Sequence, residues 1–199
     1  MIDAHIWWYL ARASGLIAWA VLAVSVLLGL VVAGRLTHKV PPPAWNLDLH
    51  RFLGGLGVIF MATHVLALVA DSYVHFGWAE IFVPMASAWK PGAVTWGVAA
   101  LYLLLAVEAT SLLKRRLPLR LWRAVHLCSA PLFAVVTVHG IVAGTDATTT
   151  IAIALGSAVL VLNAGVLALR LRGPKRHRRA RALPASLPDR CSLGRRLRP

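Results

Sequence analysis

The sequence is short of cysteine and of acidic residues. Its 199 residues include two cysteines, Cys128 and Cys191, so a disulfide framework is excluded. Seven Asp and Glu residues stand against 21 Lys and Arg residues, and 59% of all residues are hydrophobic. A soluble domain is about 45–50% apolar, so this composition indicates a membrane protein.

The excess positive charge, +14 in total, is concentrated after the last apolar run. Eleven of the 21 basic residues fall between Arg170 and Arg198, and the others cluster mainly in two short loops. Charge is distributed in this way around membrane spans, whereas a nucleic-acid-binding protein needs a folded basic face. We therefore expect no nucleic-acid partner, a membrane domain over 1–172, and a basic, disordered cytoplasmic tail over 173–199.

Five apolar runs are long enough to cross a hydrocarbon core, which takes roughly 20 residues. They cover residues 14–34, 49–70, 92–113, 121–143 and 148–169. Lys and Arg are concentrated in the loops after the first and third runs, which places those loops in the cytoplasm. The sequence therefore predicts an all-α, polytopic bundle of five transmembrane helices in contact with the lipid of the plasma membrane. Its N-terminus is expected outside and its C-terminus in the cytoplasm.

Two connecting segments have the composition of loops. The stretch "PPPAW", residues 41–45, is expected to be a stiff, non-helical cytoplasmic connector because of its three prolines. Residues 71–91 are too long for a tight turn and too polar to span, so we expect them to lie over the outer face. Trp78 and Trp89 within this segment suit a membrane interface. The alternative is that they shape an outer acceptor site together with Lys90.

Four of the eight histidines lie on two of the spans: His50 and His64 on the second, His126 and His139 on the fourth. Ionisable groups at membrane depth are costly and usually functional. The spacings of fourteen and thirteen residues correspond to rises of about 21 and 20 Å along a helix. Because the two spans run in the same direction, His50 can stand level with His126, and His64 with His139.

Facing imidazoles are the axial ligands that a b-type haem takes from the two sides of its plane. Zinc is disfavoured, because zinc needs its ligands around one point and two ligands about 20 Å apart on one helix cannot share an ion. The chain has no C-x-x-C-H motif, so covalent haem attachment is not indicated. The histidines therefore predict two stacked b-type haems.

Glycines separate the two histidines of the second span. At about 100° per residue, His50, Gly54, Gly57, Met61 and His64 fall on one stripe of the helix. Gly54 and Gly57 then leave room for a flat macrocycle between the two ligands. The alternative is a small-residue face for helix packing.

The fourth span has a less regular phase. Thirteen residues put His139 about 140° away from the phase of His126 on a straight helix. Pro131 lies between them and removes a backbone donor, which predicts a kink or a local rewinding. Either this kink re-aims His139, or the two side chains leave from different sides of the helix.

The stretches "LHRFLGGLGVIFMATHVLAL" (49–68) and "LWRAVHLCSAPLFAVVTVHGIVAGTD" (121–146) resemble the ferric reductase-like transmembrane domain. This group includes ferric-chelate reductases, NADPH oxidases and the haem membrane subunit of a bacterial methionine sulfoxide repair system. The resemblance implies that His50 with His126 holds a cytoplasmic haem, and His64 with His139 an outer one. Larger members continue into a cytoplasmic flavin and nicotinamide domain. For this chain, flavin, NAD(P)H or quinol electrons are therefore expected from a partner.

Three charged residues near the histidines are candidates for a role. Arg51 and Arg123 neighbour the cytoplasmic ligands and suit haem propionates, the alternative being positive-inside charge. Glu108 in the third span is a candidate for a proton or quinol role, the alternative being a carboxylate that snorkels toward the basic loop.

Taken together, these features predict a membrane b-type cytochrome that carries electrons through two bis-His haems to an extracytoplasmic acceptor. As an oxidoreductase-type component it would receive its electrons from a flavoprotein, a quinol or a reductase partner. One alternative is a single-haem subunit that delivers quinol- or flavin-derived electrons to an exported reductase or flavoprotein. The other is a non-redox membrane scaffold.

Overall fold

The computed structural model describes residues 5–34, 43–72, 74, 76–144 and 150–172, and every regular element in those ranges is helical. The predicted 173–199 tail lies outside the described residues. The elements are α1 (Ile6–Gly34), α2 (Pro43–Ala70), α3 (Trp78–Phe82), α4 (Pro91–Leu112), α5 (Leu119–Leu127), α6 (Ser129–Ala143) and α7 (Thr150–Arg172). The prediction of an all-α membrane bundle is confirmed.

Four stretches of this bundle are long and apolar enough to cross a membrane. They are Ile6–Ala33, Ala44–Ala70, Pro91–Leu112 and Leu119–Ala143, and they match the first four predicted spans. The fifth predicted span corresponds to α7, in which the described apolar stretch, Gly156–Ala168, is shorter. Large apolar side chains such as Leu16, Phe52 and Leu66 are exposed on the outside of the bundle, as expected for surfaces that face lipid.

The helix α2 begins earlier than the sequence pattern indicated. Pro43 is its first residue, so the prediction of a non-helical 41–45 segment is wrong for residues 43–45. Residues 41 and 42 lie outside the described residues. A proline is tolerated in the first helical turn because the N–H it lacks would have no partner there. Pro43 therefore marks the start of α2.

The helices pack as two hairpins. In the first hairpin α1 and α2 lie along each other, and in the second hairpin α4 packs against α6, with α5 beside the end of α4. The hairpins meet through α1 and α6, where Trp19 stacks on Phe133 with ring centroids 6.2 Å apart. Trp19 also donates a hydrogen bond to Thr137 Oγ1 at 3.0 Å. Since α2 does not pack along α4, α5 or α6, space remains between the hairpins.

The fourth span is broken into α5 and α6 at Cys128. The backbone N–H of Cys128 bonds to the carbonyl of Val125 three residues back, a tighter connection than that of an α-helix. Pro131 lies three residues after the break. Its ring excludes a normal helical turn over the carbonyl of Leu127, four residues earlier, and this accounts for the break. The predicted local rewinding is therefore present, on the N-terminal side of the proline.

The segment between α2 and α4 covers one end of the bundle, which we call the α3 end; the opposite end is the α5 end. Phe76 and Ile81 are buried beneath the segment, while Trp78 is 71% exposed. Lys90 adopts a left-handed conformation with φ of 40° just before α4. Its Nζ donates to the carbonyls of Val142 and Ala143, 3.4 and 3.5 Å away, in the last turn of α6. A cation is favourable at a helix C-terminus, so Lys90 joins the start of α4 to the end of α6.

Candidate haem site

An elongated cavity of about 1420 Å³ runs between the two hairpins. It is lined by all four predicted ligands and by Gly54, Gly57, Met61 and Glu108 between the two levels. A typical small-molecule site occupies about 300–1,000 Å³, so this space exceeds what one ligand of ordinary size needs. Because the walls are mostly apolar helix faces, the cavity suits a large, flat and largely apolar group.

The four histidines form two facing pairs across this cavity. His50 and His126 make the α5-end pair, with ring centroids 5.9 Å apart and planes at 85°. His64 and His139 make the α3-end pair, with centroids 6.4 Å apart and planes at 79°. These are the partners that the helix directions predicted. The break at Cys128 resolves the question of phase, since both histidines of the fourth span face α2.

Each imidazole is oriented by a hydrogen bond at Nδ1. His64 Nδ1 lies 2.7 Å from the carbonyl of Ala11, and His50 Nδ1 lies 2.8 Å from that of Ser25. His139 Nδ1 lies 2.9 Å from the carbonyl of Ala93. A carbonyl can only accept, so Nδ1 carries the proton in these three rings. The unprotonated Nε2 is then the nitrogen free to bind a metal.

The fourth imidazole has a different acceptor. His126 Nδ1 lies 3.2 Å from Ser111 Oγ. The Ser111 hydroxyl already donates to the carbonyl of Val107 at 2.7 Å. Its single proton is used in that bond, so the hydroxyl accepts from His126 Nδ1. All four histidines therefore have the tautomer that a metal ligand needs.

Three glycines allow the neighbouring helices to come this close, and the sequence reasoning did not single them out. A Cβ at Gly97 would lie 2.8 Å from His139 Cε1, and one at Gly15 would lie 2.9 Å from His64 Nδ1. A Cβ at Gly29 would lie 3.1 Å from His50 Cε1. Gly15 and Gly29 are fourteen residues apart, the same interval as His50 and His64 on the antiparallel helix. This shared interval was the one feature of the sequence that could have identified Gly15 and Gly29 as neighbours of the histidines.

The two glycines singled out on α2 have less crowded surroundings. A Cβ at Gly54 would lie 3.2 Å from Glu108 Oε1, whereas one at Gly57 would only touch Val21 at 3.8 Å. Gly54 thus makes room for the carboxylate of Glu108 on α4. Both glycines line the cavity, as the stripe on α2 predicted.

Basic side chains surround the α5 end of the cavity. Arg51, Lys114 and Arg123 line it there. Arg51 pairs with Asp48 at 3.4 Å, but both side chains are well exposed, so this ion pair contributes little. Positive charge is thus available at the cavity mouth for an anionic group.

An aromatic ring separates this positive charge from the α5-end pair. Trp122 stacks on His126 with centroids 5.0 Å apart and planes at 21°. Lys114 Nζ lies 3.9 Å from the centroid of the Trp122 ring. Trp122 Nε1 is buried and has no acceptor among the described residues. A buried N–H without an acceptor is costly, so an acceptor from a bound group would be favourable here.

The α3 end is closed by aromatic contacts. Trp89 meets Trp8 edge to face at 6.3 Å and Phe76 at 6.5 Å. Arg12 lies over the Trp8 ring at 6.0 Å, and both residues line the cavity. Trp89 is therefore half-buried in the cavity wall.

The two pairs fit a haem better than a metal ion held by protein alone. Two metal–nitrogen bonds of about 2 Å, with about 1 Å from each nitrogen to its ring centre, place facing imidazole centroids about 6 Å apart. The observed 5.9 and 6.4 Å agree with this spacing. In the described ranges, no group of three or more His, Cys, Asp or Glu could hold a metal ion. Each level brings two imidazoles together, the number that haem iron takes from a protein in bis-His coordination.

The chain was compared with known protein families. Residues 13–137, more than half of the chain, match the family described as ferric reductase like transmembrane component. The matched range includes His50, His64 and His126 and ends two residues before His139. No match to the chain was found among curated proteins or among solved structures. The chain belongs to the ferric reductase like transmembrane component family.

Proposed function

We propose that this chain is a plasma-membrane b-type cytochrome that passes electrons through two bis-His haems to an extracytoplasmic acceptor. The observation that carries the proposal is the pair of imidazole pairs, 5.9 and 6.4 Å apart, at two levels of one apolar cavity. In this orientation the α5 end faces the cytoplasm and the α3 end faces outward. The basic α5 end supports this orientation, because Lys and Arg favour the cytoplasmic side.

The protein groups bind and orient the cofactor. His50 and His126 provide Nε2 ligands at the α5 end, and His64 and His139 provide them at the α3 end. Haem, when bound, supplies one-electron chemistry at its iron. The Nδ1 hydrogen bonds hold each ring in place and strengthen it as a donor, as outer-shell partners do for metal-ligating histidines generally. The apolar walls exclude water from the space between the levels.

Arg51 and Arg123 are proposed to bind propionates of the haem at the α5 end. Both line the cavity mouth, and guanidinium groups bind carboxylates with two parallel hydrogen bonds. Lys114 lines the same mouth and adds a third cation. The buried Nε1 of Trp122 offers an additional donor in that region.

Electrons are proposed to arrive at the α5 end from a flavoprotein, a quinol or a reductase partner. The exposed cations of the 114–123 segment would favour an acidic surface on such a partner. The acceptor would be reduced at the α3 end, where Trp8, Arg12 and Trp89 close the cavity.

A haem-to-protein ratio with a reduced-minus-oxidised spectrum tests the proposal on purified full chain. Two b-type haems per chain is the expected result. A ratio of one would favour the single-haem subunit, and no b-type signal after expression with sufficient haem would leave the non-redox scaffold.

Single His→Ala variants test the pairing. His50→Ala and His126→Ala should each remove the same haem and leave one per chain, while His64→Ala and His139→Ala should remove the other. The two groups are distinguishable by the midpoint potential of the haem that remains. Loss in a crossed pattern, with His50→Ala equivalent to His139→Ala, would contradict the proposed levels.

A further inference from the structure

His126 differs from the other three imidazoles in the acceptor at Nδ1. The other rings donate to backbone carbonyls at 2.7 to 2.9 Å. His50 has the Ser25 hydroxyl at 3.2 Å in addition to its carbonyl partner. Among the described residues, the acceptor of His126 Nδ1 is the Ser111 hydroxyl alone, at 3.2 Å, and that hydroxyl is held in place by its own bond to the carbonyl of Val107. A longer bond to a neutral hydroxyl withdraws the Nδ1 proton less than a short bond to an amide carbonyl.

His126 differs also in what covers its ring. Trp122, one helical turn earlier on α5, stacks on it, and Lys114 Nζ lies 3.9 Å from the centroid of the Trp122 ring. Among the described residues, no other histidine of the two pairs has a stacked indole with a cation on it. The side chain of Lys114 is exposed, so its field is partly screened by solvent and salt.

Both differences would raise the reduction potential of an iron bound by His126. A strong acceptor at Nδ1 gives the imidazole negative character and stabilises the ferric state. A weak acceptor removes part of that stabilisation, and a nearby cation favours the ferrous state, which carries one positive charge fewer. Glu108, whose carboxylate faces Gly54, opposes the effect, but it acts from the α2–α4 side of the cavity and not through His126.

We propose that Trp122 and Lys114 are positioning residues that act through His126 to raise the reduction potential of the α5-end haem, and that Ser111, as a weak acceptor at Nδ1, lowers this potential less than a backbone carbonyl would. The inference rests on the proposed function and adds to it a difference between the two levels. A higher potential at this level makes electron transfer from the cytoplasmic donor to the α5-end haem more favourable. It makes the next transfer, from the α5-end haem to the α3-end haem, less favourable.

Two substitutions with opposite expected signs test this inference in a potentiometric titration of the purified full chain. Lys114→Gln should lower the potential of the α5-end haem by about 28 mV, a threefold change in the reduction equilibrium at 59 mV per tenfold for one electron. Ser111→Ala leaves Nδ1 without an acceptor and should raise that potential by a similar factor. The α3-end haem should not change. A His64→Ala background, which retains only the α5-end haem, assigns the signal.

Matched controls separate these effects from general charge loss and from loosened packing. Arg116→Gln removes the same charge from the same loop and should shift the potential less than half as much. Thr110→Ala removes a hydroxyl from the preceding position of α4 and should leave it unchanged. Lys114→Arg and Ser111→Thr should restore the wild-type value.

Equal shifts in Lys114→Gln and Arg116→Gln, or a lowered potential in Ser111→Ala, would overturn the inference. Two haems per chain with unmoved potentials would overturn it while leaving the proposed function intact. A wild-type chain without haem would instead remove the proposed function and this inference together.

Discussion

The helix α2 and the broken helix α5–α6 place two histidines at the same two levels by different means. Fourteen residues are close to a whole number of turns, so the uninterrupted α2 keeps His50 and His64 on one face. Thirteen residues are not, and α5–α6 brings His126 and His139 to one face only because the helix is interrupted at Cys128. The number of residues between two histidines thus sets their separation along the helix axis. For both side chains to face the same way, that number must be close to a whole number of turns, or the helix must be interrupted.

The helices α1 and α4, which supply the hydrogen-bond acceptors of the imidazoles, also differ in regularity. In the first hairpin, α1 repeats one arrangement fourteen residues apart, with carbonyls of Ala11 and Ser25 and the small residues Gly15 and Gly29. In the second hairpin, α4 places a carbonyl and a glycine behind His139 but a serine hydroxyl behind His126. The surroundings of the imidazole are therefore nearly the same at the two ends of the first hairpin, whereas they differ between the two ends of the second.

The largest expected effect is on the α3-end pair. Gly97→Ala and Gly15→Ala put a methyl group 2.8 or 2.9 Å from an imidazole, so the ring must move away from its partner. The haem content should fall from two per chain to about one in each variant. Gly55→Ala and Gly165→Ala, where a Cβ meets nothing within 4 Å and which do not line the cavity, should retain two. Full haem content in Gly97→Ala would show that this level tolerates a displaced ligand.

Pro131→Ala tests the break in the second hairpin. With an N–H at this position, the carbonyl of Leu127 gains a partner and a continuous helix becomes possible. A straight helix would turn His139 out of line with His126, so occupancy of the α3-end haem should fall while that of the α5-end haem is kept. Spectral titration with haem measures both. An unchanged α3-end haem would mean that packing of α4 on α6 maintains the break without the proline.

A smaller effect is expected at the α5 end of the first hairpin. The Cβ of Gly29→Ala would lie 3.1 Å from His50 Cε1, a contact that a shift of a few tenths of an ångström relieves. The α5-end haem should bind more weakly but remain present, as measured by haem retention during dilution. Gly55→Ala, where a Cβ meets nothing within 4 Å and which does not line the cavity, is the control on the same helix and should retain haem like the wild type. Equal losses in both variants would contradict the asymmetry.

Lys90→Gln should have the smallest effect. It removes a cation from the C-terminal carbonyls of α6 and should cost about 0.3–1 kcal/mol of stability. Thermal loss of the haem absorbance should begin a few degrees lower than in the wild type, and Lys90→Arg should recover most of the difference. A larger loss in Lys90→Arg than in Lys90→Gln would show that the left-handed backbone, and not the charge, is the sensitive feature.

Regular spacing along single helices was predictable from the sequence. Helix type, four of the spans and the height of each histidine follow from apolar run length and axial rise, which are local properties. The pairing of His50 with His126 followed from span direction, and the structure brings them together; their role as ligands stays a prediction. The start of α2 was misplaced because proline was treated as a helix breaker at a position where it is an acceptable first residue.

Contacts between helices were not predictable in the same way. The sequence around Gly97 and Ser111 does not indicate which helix packs against them. Their contacts with His139 and His126 could therefore be identified only from the structure. The Trp122 stack was equally hidden, although its position four residues before His126 allowed it. Gly15 and Gly29 did carry a signal, since their interval equals that of the histidines on α2.

The gap between the hairpins also bears on how the molecule is made. Every imidazole pair takes one ring from α2 and one from the second hairpin, yet α2 does not pack along α5 or α6. In the proposed holoprotein, each haem therefore bridges two parts of the chain that are synthesised at different times. Cofactor supply then becomes a step of biogenesis: before haem binds, the described contacts between the two hairpins run mainly through α1, which packs against α6 and α7.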